Sequence, residues 1–94
     1  MMRTERLVVP SNHGVDARRK FLGTATEAIG RADVEIEVDC SGVDGSGPSL
    51  VGMLVTVARN AQRRGVGVVL VNTSPELRRE LGVANVEDRF VIRE

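Results

Sequence analysis

The residues best placed to do chemistry lie in one run, Asp39-Cys40-Ser41-Gly42-Val43-Asp44-Gly45-Ser46-Gly47-Pro48-Ser49-Leu50. Pro48 suits the first turn of a helix, where its missing N–H costs nothing. A glycine-rich loop that feeds a helix start gathers backbone N–H groups at the positive end of the helix dipole. Such a place suits an anion, a phosphoryl group or a phosphorylated serine. Ser49 and Ser46 are the candidate phospho-acceptors, and Ser46 or Gly47 is the candidate N-cap; capping alone also accounts for serine at these positions. The glycine spacing matches neither a Walker loop nor a dinucleotide fingerprint, and no lysine follows in the helix, so a turn needing positive φ explains the glycines as well as a phosphate cradle does. Asp39 and Asp44 read either as ligands for Mg²⁺ or a partner's basic group, or as acceptors of loop hydrogen bonds.

Cys40 has no second cysteine to pair with and reads as a buried structural thiol. His13 stands alone in a turn, away from any nucleophile or ligand at motif spacing. No set of residues makes a catalytic constellation by spacing, so the expectation is a non-enzyme that uses no cofactor and no metal. The pairs Arg18-Arg19, Arg63-Arg64 and Arg78-Arg79 read as solvated helix faces, with a partner-docking surface as the second reading.

The elements that must position the loop follow from periodicity. Val34-Glu35-Ile36-Glu37-Val38-Asp39 alternates apolar and charged residues, the mark of a strand with one face inward. After the loop, Leu50, Leu54, Val57 and Ala61 recur at helical spacing, widened by Val51, Met53 and Ala58, and Gly65 ends the helix. Upstream, Leu7-Val8-Val9 is a short strand stopped by Pro10. A helix then starts near Val15 or Asp16, with Phe21, Leu22, Ala25 and Ile29 inward and Gly30 as its C-cap. Downstream, Val66 to Val71 is nearly continuous in apolar residues, as in a strand of a parallel sheet buried on both faces. Ser74-Pro75 opens a helix as N-cap and N1, with Leu77 and Leu81 inward and Gly82 and Asn85 as alternative terminators. Phe90-Val91-Ile92 closes the chain as a short edge strand. Strands alternating with helices predict an α/β fold, a mostly parallel four-stranded core sheet with right-handed crossovers.

Composition bounds the function. The 94 residues suit one small domain spanning 1–94, with no room for a separate catalytic one. Thirteen basic residues balance thirteen acidic ones, so no net field draws the chain to nucleic acid or an anionic membrane. Phe21 and Phe90 are the only aromatic residues, which argues against base stacking. The lone cysteine, the lack of a signal-like N-terminal run and the lack of a long apolar stretch predict a cytoplasmic protein that does not insert into a membrane.

Several of these segments resemble the STAS domain, the anti-sigma-factor antagonist family. Val38-Asp39-Cys40-Ser41-Gly42-Val43 resembles the family's "V-D-L-S-G-V" strand exit, and Ala58 to Gly65 resembles the end of its second helix. Leu70-Val71-Asn72-Thr73-Ser74-Pro75-Glu76-Leu77-Arg78-Arg79-Glu80-Leu81 is similar to "L-V-N-x-S-P-E-V-R-R-x-L", and Val86 to Phe90 resembles the "G-L-D-x-x-F" tail. The likeness covers residues 34–92 well and the first thirty poorly; the family's additional N-terminal strand has no clear counterpart. It implies a cytoplasmic switch protein for transcription regulation by partner switching. Its partner would be a kinase-like anti-sigma factor, docked on Asp44, Gly45, Ser46, Gly47, Pro48, Ser49 and Leu50.

The chain departs from the pattern where the family carries its phosphorylated serine, in "D-S-S-G". In the ungapped register that serine falls on Pro48; in a shifted register it falls on Gly45. Neither accepts phosphate, so Ser46 and Ser49 are substitutes at best. The resemblance therefore also fits a STAS-type accessory subunit of a lipid-transport ATPase complex, which needs no phospho-switch. Oligomeric state stays open, a homodimer included.

Overall fold

Four short strands alternate with three amphipathic helices, and this alternation sets the topology. The computed structural model of the chain describes residues 4–10, 14–42 and 48–93, the first two residues of the second helix by backbone alone. The elements are β1 (Thr4–Val8), α1 (Val15–Arg31), β2 (Glu35–Asp39), α2 (Pro48–Arg63), β3 (Gly67–Val71), α3 (Pro75–Val83), a 3₁₀ turn (Glu87–Arg89) and β4 (Val91–Arg93). The strands form one sheet in the order β1-β2-β3-β4, and every pairing is parallel. Right-handed crossovers that always step the same way put all the helices on one face. Accordingly Leu7, Ile36, Val38, Val68 and Leu70 from the strands share a single core with Phe21, Leu54 and Leu77 from the helices. This is the α/β architecture expected from the alternation of elements.

The other face holds the alternate residues. Arg6, Glu37, Val69 and Val91 lie in one register row, and Val8, Asp39, Val71 and Arg93 in the next. Val8 and Val91 on this face are exposed, whereas Val69 in the central strand is buried. The expectation of a third strand buried on both faces is thus met at Val68, Val69 and Leu70, while Gly67 is open to solvent.

Helix boundaries follow local chemistry. Ser74 caps α3: its hydroxyl accepts the Leu77 N–H at 3.0 Å, and Pro75 occupies N1. α2 stops at Gly65, whose φ of 71° lets the Val66 N–H return to the Ala61 carbonyl at 2.9 Å. α3 stops in the same way at Asn85, with φ 59° and Val86 N–H on Leu81 O, so Asn85 rather than Gly82 is its terminator.

Several boundaries differ from those expected: β2 starts at Glu35 rather than Val34, β3 at Gly67 rather than Val66, and β4 is Val91–Arg93 rather than Phe90–Ile92. α1 runs through Gly30 to Arg31, where the positive charge suits the helix end and the guanidinium reaches Glu5 at 2.6 Å. β1 covers Thr4–Val8 instead of Leu7–Val9. Its polar first half is a strand because it pairs with β2 and because Arg6 bridges to Glu37 and Asp39. Val9 leaves the strand but remains buried, and its N–H still donates to Asp39 O at 2.9 Å.

Candidate functional site

Loops at the carboxyl ends of the strands sit on a rigid scaffold, and such loops carry functional residues disproportionately often. Here that end is formed by Cys40-Ser41-Gly42 after β2, Asn72-Thr73-Ser74 after β3, and the first turn of α2. The loop singled out from sequence springs from this point. Asp44, Gly45, Ser46 and Gly47 lie outside the described residues, as does His13; Pro48 and Ser49 are described as the backbone of the first turn of α2. Leu50 is 1 % exposed. It locks the helix start into the core and offers no surface of its own to a partner.

Asp39 anchors the start of the loop. Its Oδ1 accepts the Ser41 N–H at 2.9 Å and the Asn72 Nδ2–H at 3.1 Å, and its Oδ2 accepts from Arg6 Nη2 at 2.7 Å. The carboxylate closes an Asx-type turn over Cys40 and ties the ends of β1, β2 and β3 together. The Ser41 backbone N–H above all, then the Asn72 amide, hold the Asp39 carboxyl well below the usual carboxylate range, outweighing the burial that raises it; Arg6 adds to the lowering. Asn72 supplies its amide from φ 56°, a left-handed conformation that asparagine tolerates better than most residues. Of the two readings for Asp39, the structure shows loop hydrogen bonding. No group of three or more His, Cys, Asp or Glu side chains able to hold a metal ion occurs among the described residues.

Cys40 is buried, as expected, and its N–H joins the ladder to Val71 O at 2.9 Å. Burial first, then the neighbouring Asp39 charge, pushes the thiol up to about 11. It therefore has little thiolate near neutrality and is a structural residue. Met53 is buried in the core, also as expected.

Sequence reading did not find Arg6 and Asn72 as the partners of Asp39. A signal for Arg6 was present: if Leu7 and Val38 point inward, strand alternation puts Arg6 and Asp39 on the same outer face. Asn72 gave a weaker one, an asparagine at a strand exit.

The family described as "Mlab, STAS domain" matches residues 4–93, nearly the whole chain. The chain belongs to the STAS domain family. No curated protein matches it. Solved structures share its fold. One is a Thermotoga maritima protein described as an anti-sigma factor antagonist, 16 % identical, with a TM-score of 0.72 over all of this chain and 75 % of the other. Another is a STAS domain protein from Planctomyces limnophilus, described as an anti-sigma-factor antagonist. It is 17 % identical, with a TM-score of 0.72 over 92 % of this chain and 79 % of the other. No helix among the described residues is long and apolar enough to cross a membrane.

Proposed function

We propose that this STAS domain is a regulatory protein-binding module of the anti-sigma-factor antagonist type. It acts by binding, without catalysis, on a kinase-like anti-sigma factor in the cytoplasm. The observation that carries the reading is the STAS match across residues 4–93, with the Asp39-braced exit of β2 leading into the loop. Residues 44–49 form the docking surface, and buried Leu50 anchors the helix start that follows them. Phosphate on Ser46 or Ser49 would place nearly two negative charges in that interface and weaken the complex.

A second reading is favoured by Pro48, which stands where the resemblance puts the acceptor serine. A STAS subunit that braces a lipid-transport ATPase needs no acceptor there. The matched family's description, with its Mlab-type STAS domain, is compatible with either role.

One affinity pull-down tests both, using the wild-type chain and Pro48→Ser as baits with intact-mass readout. Recovery of a kinase-like anti-sigma factor, with phosphate gained on Pro48→Ser, supports the antagonist that has lost its off-switch. Recovery of transporter subunits alone, with no phosphate on either bait, overturns that reading and supports the accessory subunit.

A further inference from the structure

The helices α1 and α2 both run back against the strands and lie side by side, leaving a groove between them on the solvent side. Its first half is a depression of about 570 Å³, where Arg18, Arg19 and Leu22 face Gly52, Met53 and Thr56. One helical turn on, a depression of about 180 Å³ continues it, with Thr26 and Gly30 facing Asn60, Arg63 and Arg64. The two depressions follow each other along α1, a helix of 17 residues and roughly 25 Å.

Its chemistry is one-sided. Among the described residues, the charged side chains that line it are all arginines, and α2 carries no carboxylate along its length. The chain as a whole is neutral, so Arg19, Arg63 and Arg64 gather positive charge along this groove. The floor is apolar and shallow. Thr26 and Thr56, which line the groove, donate their hydroxyls back to Leu22 O and Gly52 O at 2.9 Å, so those hydroxyls are already satisfied.

Two helical glycines, Gly30 in the last turn of α1 and Gly52 in α2, deepen it. A Cβ added at Gly30 or Gly52 would meet nothing within 4 Å, and neither residue has a positive φ. Neither glycine is required by the fold, although glycine is among the poorest residues for a helix interior. What the missing side chains provide is room for another backbone to come close.

We infer that the α1–α2 groove docks an acidic amphipathic helix of a partner protein, with small residues along its seam and carboxylates on both flanks. Charge complementarity with the arginine rim selects the acidic partner. The apolar floor and the absence of exposed aromatic residues for stacking favour a helix over a nucleic acid. The inference does not rest on what docks at residues 44–49.

The test is a heteronuclear NMR titration of the full ¹⁵N-labelled chain with a helix-forming peptide of about 20 residues, alanine along one seam and glutamate on both flanks. A lysine-for-glutamate peptide and a short DNA duplex serve as competitors. The glutamate peptide is expected to shift the amides of Leu22, Thr26, Gly30, Gly52, Thr56 and Asn60, with an affinity that falls as salt rises. Arg19→Glu combined with Arg63→Glu is expected to weaken binding about tenfold. Gly52→Leu is expected to abolish binding while leaving the melting temperature unchanged or higher, so loss of binding cannot be loss of fold.

Equal shifts with the lysine peptide, stronger shifts with DNA, shifts confined to other surfaces, or no shift at millimolar peptide would each overturn the inference. So would undiminished binding by Gly52→Leu. Groove amides that move with protein concentration alone would make the occupant a second copy of the chain and would overturn it too.

Discussion

Arg6 Nη2 lies 2.7 Å from Asp39 Oδ2, joining an edge strand to the last residue of β2 across the helix-free face of the sheet. The arginine is half exposed, so the Coulombic part of this contact is screened. The greater part of what Asp39 contributes comes from the Ser41 N–H and the Asn72 amide, which lose their acceptor if the carboxylate goes.

Asp39→Ala is expected to destabilise the chain by about 2 kcal/mol, through donors left unsatisfied at the loop origin. Urea unfolding of both proteins at pH 7 checks this. The pH dependence has a definite sign. The folded-state pKa is depressed, so the stabilisation is fully present above the unfolded value of roughly 4 and is lost as pH falls from there toward the folded value. The gap between wild type and Asp39→Ala should therefore hold steady from pH 6 to 8 and narrow below about pH 4. A gap that widened in acid would show that the carboxylate is not the stabilising form.

Gly23 and Gly65 are glycines of opposite kinds. Gly23 lies inside α1 with open space where a Cβ would sit, and Gly23→Ala should raise stability by about 1 kcal/mol, or several degrees in melting temperature. Gly65 ends α2 at φ 71°, and Gly65→Ala should lower stability by about 1 kcal/mol. Thermal melts of the two variants should shift in opposite directions.

The Cys40 thiol is buried and its pKa is pushed up to about 11. Labelling with a thiol-reactive disulfide at pH 8 should be slow in the native state and fast in urea, with its midpoint at the unfolding midpoint. Fast labelling of the folded chain would refute a structural role.

Ser74→Ala should cost about 1 kcal/mol by removing the acceptor for the Leu77 N–H, while Ser74→Asp should retain most of the stability. Both are measured by urea unfolding.

What was legible in the sequence was what depends on neighbours along the chain. Ser74-Pro75 and Gly65 mark helix ends by the chemistry of one or two residues, and Leu50, Leu54, Val57 and Ala61 show the buried stripe of α2 by spacing alone. Thr4-Glu5-Arg6 does not look like a strand, because the ion pairs that make it one come from residues more than 25 positions away. Gly82 and Asn85 could not be separated by type: glycine is the better left-handed residue, yet packing of Leu81 sets the helix end so that Asn85 falls at the turn. At the candidate site, the loop's place beyond the end of β2 was legible. The brace on Asp39 was not, since it needs the register of three strands at once.

Each strand of the β1-β2-β3-β4 sheet pairs with the strand made just before it. The paired segments are separated by only about 20–30 residues, so each closure is a short one. The domain can therefore assemble in the direction of synthesis, one strand and helix at a time, with no strand threaded between two already in place. During that assembly the growing edge is always the newest strand, and it is most apolar when Gly67–Val71 has been added and β4 has not. The three residues Val91–Arg93 complete the sheet, and they also cover the edge through which a half-made chain would most readily stick to another.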